Sequence, residues 1–152
     1  MKLFLLRHGQ AAHAEQDSLR SLTTQGKDEV RRIGEHLRNQ GIQVAAAWHS
    51  PKTRAVETAR IFLEASGGAD AAQAERDDLK PEGDVESVLR DLASFAGESL
   101  VLVTHLPFVA DLAQALDPAA DAMTFPTAGL AAFEKRGGNW KWLWSLDPKA
   151  LP

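Results

Sequence analysis

The chain has 152 residues, of which 44% are hydrophobic and 25% are charged, and this length predicts a single domain, residues 1–152, able to bury a core without metal or disulfide staples. The absence of cysteine excludes disulfides, thiolate metal sites and cysteine nucleophiles. The net charge of −4, from 17 basic and 21 acidic residues mixed along the chain, provides no basic stripe for nucleic acid, which we do not expect as a partner.

The first predicted element is a strand that ends on charged residues. Leu3 to Leu6 is a run of Leu and Phe, which is typical of a strand covered on both faces in a parallel sheet. The run continues into Arg7, His8 and Gly9, at the strand end where ligands of open α/β sheets bind. An imidazole that can attack phosphorus, next to a guanidinium that can hold oxygens, favours phosphoryl chemistry. Gly9 allows a sharp turn that brings backbone N–H groups close to a ligand.

The alternative for this tripeptide is a surface arginine beside a helix-capping histidine, and the tripeptide alone does not decide between the two.

The apolar run after Met1-Lys2 is too short for a signal peptide, and no segment approaches transmembrane length. We therefore expect a cytoplasmic protein with no membrane partner.

A loop and a helix follow. Gln10 to Thr23 lacks a sustained period and predicts a loop at the mouth of the site, with Arg20 inside it. From Gln25 the apolar residues recur at helical spacing, Thr24 can cap the helix, and Gly41 ends it. His36 lies off the apolar face of this helix and is interpreted as a solvated surface residue.

A second strand and helix bring another arginine to the same edge of the sheet. Ile42 to Trp48 is a plausible short strand, after which Ser50 can cap a helix that has Pro51 at its first position and ends at Gly67-Gly68. Arg54 then lies in the first helical turn, where free N–H groups and the helix dipole favour anions. The alternative is a surface arginine paired with Glu57.

The middle of the chain offers carboxylates near a loop. Gly68 to Glu75 predicts a surface connection, and the loop Leu79 to Asp84 precedes a third helix that Asp84 can cap and Gly97 ends. Glu82, Asp84 and Glu86 cluster at this loop opening. Ordinary helix capping and solvation can account for all three carboxylates.

The next strand repeats the arrangement of the first. Leu100 to Val103 is an apolar run that ends on Thr104-His105, so His105 follows its strand as His8 does. A helix with apolar residues from Val109 to Leu116 follows. Buried strands do not need histidine at their carboxyl ends, so two such histidines indicate a common site.

The C-terminal part predicts a β-hairpin, from Gly129 to Glu134 and from Asn139 to Leu146, joined through Gly137-Gly138. Its three tryptophans alternate along the second strand and are expected on one face, which is interpreted as a buried sheet face rather than a base-stacking surface. The fold class predicted for the whole chain is a three-layer α/β/α sandwich with a mostly parallel central sheet and this C-terminal hairpin. The tryptophans are Trp140, Trp142 and Trp144.

These motifs resemble the histidine phosphatase superfamily, whose fold is phosphoglycerate mutase-like. The order and spacing of three segments carry the resemblance: Arg7-His8-Gly9, Ser50-Pro51-x-x-Arg54-Ala55-x-x-Thr58-Ala59 and Thr104-His105. Further segments are similar to the small SixA-type phosphohistidine phosphatases, which lack the larger insertions of mutases and phytases. They are Arg20-x-Leu22-Thr23-x-x-Gly26, Leu79-x-Pro81-x-Gly83-Asp84 and His105-Leu106-Pro107.

The resemblance implies a role for each matching residue. His8 is then the nucleophile that forms a phosphohistidine enzyme, while Arg7, Arg54 and His105 clamp the phosphoryl oxygens. Arg20 matches an arginine that lines the pocket. His8 needs to be neutral at its attacking nitrogen, whereas His105 is better protonated, with the arginines and the bound phosphate separating the two pKa values. Neither metal nor cofactor is expected, because the guanidinium groups provide the cationic clamp.

The chain departs from the family pattern at two points. Gln10 stands where many relatives carry Glu or Asp, and no residue can be assigned as the general acid, although Glu82 and Asp84 lie in roughly the matching loop. A phosphoramidate has less need of such an acid, because imidazole is a much better leaving group than an alkoxide. Weak acid provision therefore favours a P–N substrate.

The preferred hypothesis is an enzyme that removes phosphate from phosphohistidine on a protein such as a histidine phosphotransfer domain, acting as a monomer. The first alternative is a phosphomonoesterase that acts on a small phosphorylated molecule with the same residues; mutase activity is disfavoured because it needs a closed pocket. The second is a noncatalytic phosphate-binding module. The third is a metal site on His8, His13 and His105, which the neighbouring arginines disfavour.

Overall fold

A computed structural model of the protein describes residues 1–152, with the exception of the side chain of Ala122. The strands are β1 (Lys2–Arg7), β2 (Ala46–His49), β3 (Ala72–Glu75), β4 (Ser99–Thr104), β5 (Leu130–Arg136) and β6 (Asn139–Leu146). The helices are α1 (Thr24–Asn39), α2 (Thr53–Ser66), α3 (Val85–Ser94) and α4 (Phe108–Leu116). Of these helices, none has the length and apolar character needed to cross a membrane.

The strands form a sheet in the order β3-β2-β4-β1-β5-β6. Strands β1 to β4 run parallel, and the C-terminal hairpin of β5 and β6 adds to β1 antiparallel. This topology places the carboxyl ends of β1, β2 and β4 side by side, because β4 lies between the other two strands and pairs in parallel with both. The sequence-based prediction of a mostly parallel sheet with a C-terminal hairpin is confirmed.

Strand β1 divides the core into two halves. Phe4 and Leu6 pack against α1 and α2 on one face of the sheet, while Leu3 and Leu5 pack against α3 and α4 on the other. All four side chains are at most 1% exposed, as expected for a strand buried on both faces. The predicted three-layer α/β/α arrangement is therefore confirmed, and the apolar run fixes β1 at its centre.

Two helix starts differ from the prediction. Thr23, rather than Thr24, caps α1, because its Oγ1 accepts the N–H of Gly26 at 2.9 Å. Helix α2 begins at Thr53, so Pro51 is not its first residue and Ser50 does not cap it. Ser50 is instead buried at the edge of the sheet, where its hydroxyl contacts His105. The predicted cap of α3 is correct: the Asp84 side chain accepts the N–H of Ser87.

The segment predicted as a surface connection contains a strand. Ala72–Glu75 pairs in parallel with β2 as the edge strand β3, and all four of its residues are exposed. Because its side chains are exposed on both faces, β3 lacks the apolar alternation by which a strand is recognised in sequence. The second predicted strand also starts later than expected, at Ala46.

The prediction that the three tryptophans share one face is wrong. A β-bulge shifts the register of β5 and β6 between Ala132, which pairs with Trp144, and Phe133, which pairs with Trp142. One extra residue in the bulged strand moves the side chains on its two sides to opposite faces of the sheet. Trp144 therefore packs with Phe4 on the α1/α2 side, at a ring distance of 6.3 Å, and Trp140 and Trp142 pack on the α3/α4 side.

Candidate active site

The ends of three adjacent parallel strands bring the sequence-predicted residues together. The backbone N–H of His8 donates to the carbonyl of Thr104 at 3.0 Å, and that of Ser50 donates to the carbonyl of Val103 at 3.1 Å. These bonds extend the sheet by one residue at each strand end, so the residues just beyond the strands lie side by side. The rings of His8 and His105 consequently lie 5.0 Å apart, centre to centre.

His8 is held as one tautomer. Its Nδ1 lies 2.7 Å from the carbonyl oxygen of Gly9, and since a carbonyl only accepts, Nδ1 carries the proton. The lone pair of neutral His8 is therefore on Nε2. Burial lowers the pKa of His8 to about 4, with the positive charges of Arg54, Arg7 and Arg20 acting in the same direction. His8 is thus an uncharged imidazole at neutral pH, the form required of a nitrogen nucleophile.

This pKa predicts the behaviour of His8 on acidification. In an NMR titration, the ring signals of His8 should stay constant from pH 8 to about 5.5 and move only as the pH falls towards 4, whereas an unperturbed histidine titrates near pH 6.5. Because the unfolded chain takes up this proton first, the free energy of unfolding should decrease as the pH is lowered from about 6.5 to 4. A titration midpoint for His8 near 6.5 would contradict the assignment.

His105 is buried beside His8. Its Nε2 lies 2.8 Å from Ser50 Oγ, and Ser50 Oγ in turn accepts the backbone N–H of Lys52 at 3.2 Å. Burial lowers the pKa of His105 to about 3, aided by His8, Arg54 and Lys52. Both rings are therefore neutral at physiological pH in the protein without phosphate, and the expected proton on His105 in the presence of bound phosphate stays a prediction.

Arg54 and Arg7 bring two guanidinium groups to the histidines. Arg54 is 4% exposed, and its Nη1 donates to the backbone carbonyl of Asp17 at 2.9 Å; the alternative of a surface pair with Glu57 is wrong, since Glu57 accepts the N–H of Leu22. Arg7 Nη1 donates to the carbonyl of Phe125 at 3.0 Å. Both guanidinium groups are thus held in place by backbone carbonyl oxygens, which carry no net charge.

Unpartnered buried atoms concentrate at this site. Among the described residues, four buried side-chain nitrogen or oxygen atoms have no hydrogen-bond partner, and three of them are Arg7 Nε, Arg54 Nε and His105 Nδ1. Buried polar atoms of folded proteins are usually paired, so these three nitrogens can still bind a ligand. Two of them belong to guanidinium cations, which suits an anionic ligand.

Gly9 acts through packing rather than as a ligand. Its backbone N–H, expected to approach a ligand, donates instead to Thr58 Oγ1 at 3.0 Å. A Cβ on Gly9 would lie 2.8 Å from a methyl carbon of Val30 and 3.0 Å from the carbonyl oxygen of Gly26. Glycine is therefore needed because the turn after His8 presses against α1, and the expectation of a phosphate-binding N–H at Gly9 is corrected.

The loop before α1 contributes Arg20 and an unexpected carboxylate. Arg20 Nε donates to the carbonyl of Ala12 at 3.0 Å, and its charge contributes to the low pKa of His8. Asp17 lies on a 3₁₀ turn, Asp17–Leu19, and forms ion pairs with Arg20, Arg54 and Lys52. Arg20 is thus brought to the site as predicted, together with a residue that sequence reasoning missed.

The two candidate proton donors are placed differently. The Asp84 carboxylate caps α3 and is not brought to the histidines. Glu82 lines a cleft of about 280 Å³ together with Ser18, Lys52 and Lys80. Because Lys52 also pairs with Asp17, this cleft adjoins the arginine cluster.

The structure gives no support for a metal site on three histidines. Across the part of the chain that it describes, no group of three or more His, Cys, Asp or Glu side chains could hold a metal ion. His13 is exposed in the loop before α1, and His8 and His105 lie among guanidinium groups.

The rim of the site is short and partly apolar. Three residues connect β4 to α4 and three connect β2 to α2. Leu19, Val56 and Leu106 are the large hydrophobic side chains exposed among the described residues, at 58%, 37% and 38%. Leu19 adjoins Arg20 and Leu106 adjoins His105 in sequence, so exposed apolar surface borders the charged cluster.

Three residues of the site were missed from sequence as functional: Asp17, Ser50 in its contact with His105, and Thr58. The i, i+3 spacing of Asp17 and Arg20 could have indicated the ion pair between them. The contacts of Ser50 and Thr58 join residues 55 and 49 positions apart, for which local sequence carries no indication.

Known proteins are similar to this chain in sequence and in fold. The family model described as "Histidine phosphatase superfamily (branch 1)" matches residues 3–80. Phosphohistidine phosphatase SixA of Escherichia coli (strain K12) is 32% identical over 153 residues, which cover 97% of this chain and 94% of that protein. Among solved structures, protein histidine phosphatase SixA complexed with tungstate superposes with a TM-score of 0.87 at 32% identity, covering 98% of each chain.

Phosphoglycerate mutase from Bacillus anthracis str. Sterne superposes with a TM-score of 0.71 at 15% identity, covering 93% of this chain and 91% of that one. At this level of identity the likeness concerns the fold alone. It confirms the predicted phosphoglycerate mutase-like architecture.

Proposed function

The chain belongs to the histidine phosphatase superfamily, and we propose that it hydrolyses phosphohistidine on a protein through a phosphohistidine intermediate on its own His8. The observation that carries the proposal is the group of unpartnered nitrogens on Arg7, Arg54 and His105, next to a neutral His8. A tetrahedral phosphoryl group would supply the acceptors that these nitrogens lack and would present its phosphorus to the Nε2 lone pair of His8. The similarity to a phosphohistidine phosphatase favours the P–N substrate.

The first step transfers the phosphoryl group. The substrate ring reacts with a proton on its other nitrogen. The Nε2 lone pair of His8 forms a bond to phosphorus as the bond from phosphorus to the substrate ring breaks, and that electron pair returns to the ring nitrogen, so that the substrate leaves as neutral imidazole. Negative charge shifts onto the phosphoryl oxygens, where Arg7 and Arg54 stabilise it. The Nδ1–H bond to the Gly9 carbonyl stabilises the positive charge that develops on the His8 ring.

The second step regenerates the enzyme. Water attacks the phosphorus of phosphorylated His8, the P–N bond breaks, and its electron pair returns to Nε2. The attacking water loses a proton to solvent, and inorganic phosphate leaves. In both steps the leaving group is an imidazole, so a strong general acid is not required. This fits the position of Asp84, which caps a helix rather than facing the histidines; Glu82, near the cleft, is the carboxylate we propose for any proton donation. The cations of the site are arginine and lysine side chains, and no cofactor is proposed.

The rim supports a protein as the carrier of the phosphoryl group. Leu19 and Leu106 expose apolar surface beside the cluster, which a sugar or nucleotide phosphate would leave unused but a protein surface could cover. Such a partner, for example a histidine phosphotransfer domain, presents its histidine on a folded surface. The short connections around the site leave room for it. Cytoplasmic location and a monomeric chain stay predictions from the sequence.

A substrate panel tests the proposal. The wild-type protein should hydrolyse a phosphohistidine-bearing phosphotransfer protein with a kcat/KM well above its values for sugar phosphates, nucleotide phosphates and phosphoserine. A preference for the esters would instead establish the alternative, a phosphomonoesterase of small molecules.

The rim makes a separate prediction. Changing Leu19→Asn together with Leu106→Asn, which adds no charge beside the cations, should lower kcat/KM for the phosphohistidine protein about tenfold or more, since each buried leucine contributes roughly 1–2 kcal/mol to a contact. The value for free phosphoramidate should stay within about threefold. Leu143→Asn, in the bulged part of β6, provides a control. Equal losses with both substrates would show that the rim acts on the site itself rather than on a protein partner.

A further inference from the structure

One carboxylate lies among the cations of the site. Asp17 Oδ2 is 2.8 Å from Lys52 Nζ and 3.4 Å from Arg54 Nη2, and Asp17 Oδ1 is 3.5 Å from Arg20 Nη1. The hydrogen bond from Lys52, together with Arg54, lowers the pKa of Asp17 to about 2. The carboxylate is therefore ionised at physiological pH, and it partly neutralises cations that a phosphoryl group would use.

The carboxylate is not needed to fix Arg54. The 2.9 Å bond from Arg54 Nη1 goes to the backbone carbonyl of Asp17, which any residue at this position retains. The Asp17 side chain is 57% exposed, whereas that of Arg54 is 5% exposed. The cation is thus anchored from the backbone, while the carboxylate sits on the solvent side of it.

The exposed position of Asp17 allows the carboxylate to move. It is carried by a three-residue 3₁₀ turn without buried residues, so rotating the side chain towards solvent breaks ion pairs but uncovers no core. An incoming phosphoryl oxygen can then replace a carboxylate oxygen at Arg54 and Arg20, because the two kinds of oxygen are both negatively charged hydrogen-bond acceptors.

We propose that the Asp17 carboxylate is a resident anion of the phosphoryl site, which pairs with Arg54, Arg20 and Lys52 while the site is empty and weakens the binding of free phosphate. The inference rests on the proposed function in so far as Arg54 binds the phosphoryl group. It gives Asp17 a role in product release: inorganic phosphate competes with a tethered carboxylate and leaves readily. A protein substrate offsets the same competition through contacts on the rim.

Direct binding of inorganic phosphate tests the proposal. By titration calorimetry at low ionic strength, Asp17→Asn should bind phosphate roughly tenfold more tightly than the wild type, the effect expected of a unit charge about 6 Å away at an effective dielectric constant of about 40, between the values for a protein surface and for bulk water. Asp17→Ala should shift the dissociation constant in the same direction, which excludes an effect of the new amide. The control is Asp28→Asn, which removes the same charge from an ion pair with Arg31 on the surface of α1 and should change the constant less than twofold.

The outcomes separate this inference from the proposed function. Unchanged or weaker phosphate binding in both Asp17 variants would overturn the inference, because the carboxylate would then support the clamp rather than compete with its ligand. Tighter binding in the variants, with no phosphohistidine hydrolysis by the wild type, would support the inference and overturn the proposed substrate. If neither the wild type nor the variants bind phosphate, the site does not bind oxyanions, and both the inference about Asp17 and the proposed function fail.

Discussion

Replacing His8 by alanine should abolish turnover, with kcat/KM for a phosphohistidine protein and for an aryl phosphate both falling by at least about 1,000-fold. The reason is specific to this side chain. His8 presents a neutral Nε2 lone pair because its Nδ1 proton is bound to the Gly9 carbonyl and burial keeps the ring uncharged. Alanine removes the attacking atom, whereas Arg7, Arg54 and His105 stay in place to bind the phosphoryl group.

Initial-rate measurements with the two substrates check this, together with inorganic phosphate binding to show that the clamp survives. His36→Ala is the matched control, since His36 lies on α1 away from the strand ends and should keep wild-type rates. Hydrolysis by His8→Ala within about tenfold of wild type would mean that another group performs the attack, and the mechanism proposed for this chain would fail.

Arg54→Lys should lower kcat about 100-fold or more while leaving the fold intact. Lysine keeps the charge but not the planar fork, which here donates to the Asp17 carbonyl and still has a buried, unpartnered Nε. A donor aimed at charge that develops in the transition state is worth about 100- to 1,000-fold in rate, and arginine and lysine are not equivalent at such a position.

The change at Arg54 is checked by comparing kcat with the midpoint of thermal unfolding. Arg60→Lys, on the same helix, is the control, because Arg60 is 57% exposed and pairs with Glu64. A loss in Arg54→Lys that appears only in KM would assign Arg54 to ground-state binding and contradict a role in the transition state.

The strand ends of the site could be predicted because the physics there is local. Unbroken apolar runs before His8 and His105 indicate strands buried on both faces, and the ends of parallel strands meet at one edge of a sheet. The position of Arg54 could be predicted from the start of α2 known only to within one turn. The wrong prediction that Ser50 caps this helix therefore did not affect it. For these residues, the sequence pattern and the fold agree.

The remaining features depend on contacts between distant parts of the chain. Trp144 faces the opposite side of the sheet from Trp140 and Trp142 because one bulge shifts the register, and no residue type in the sequence indicates that shift. Gly9 is required by the packing of α1 against the turn, not by a ligand. Asp17 lies in a loop with no period, and only folding brings its carboxylate to Lys52 and Arg54.

The central claim is that the phosphoryl group passes through Nε2 of His8, and rapid-quench labelling tests it most directly. The protein is mixed with a ³²P-phosphohistidine protein, quenched in alkali within a single turnover and digested. We predict a transient label on the peptide that contains His8, bound at Nε2, which decays as inorganic phosphate appears. Release of phosphate with no labelled enzyme at any time, or a label on His105, would contradict the account.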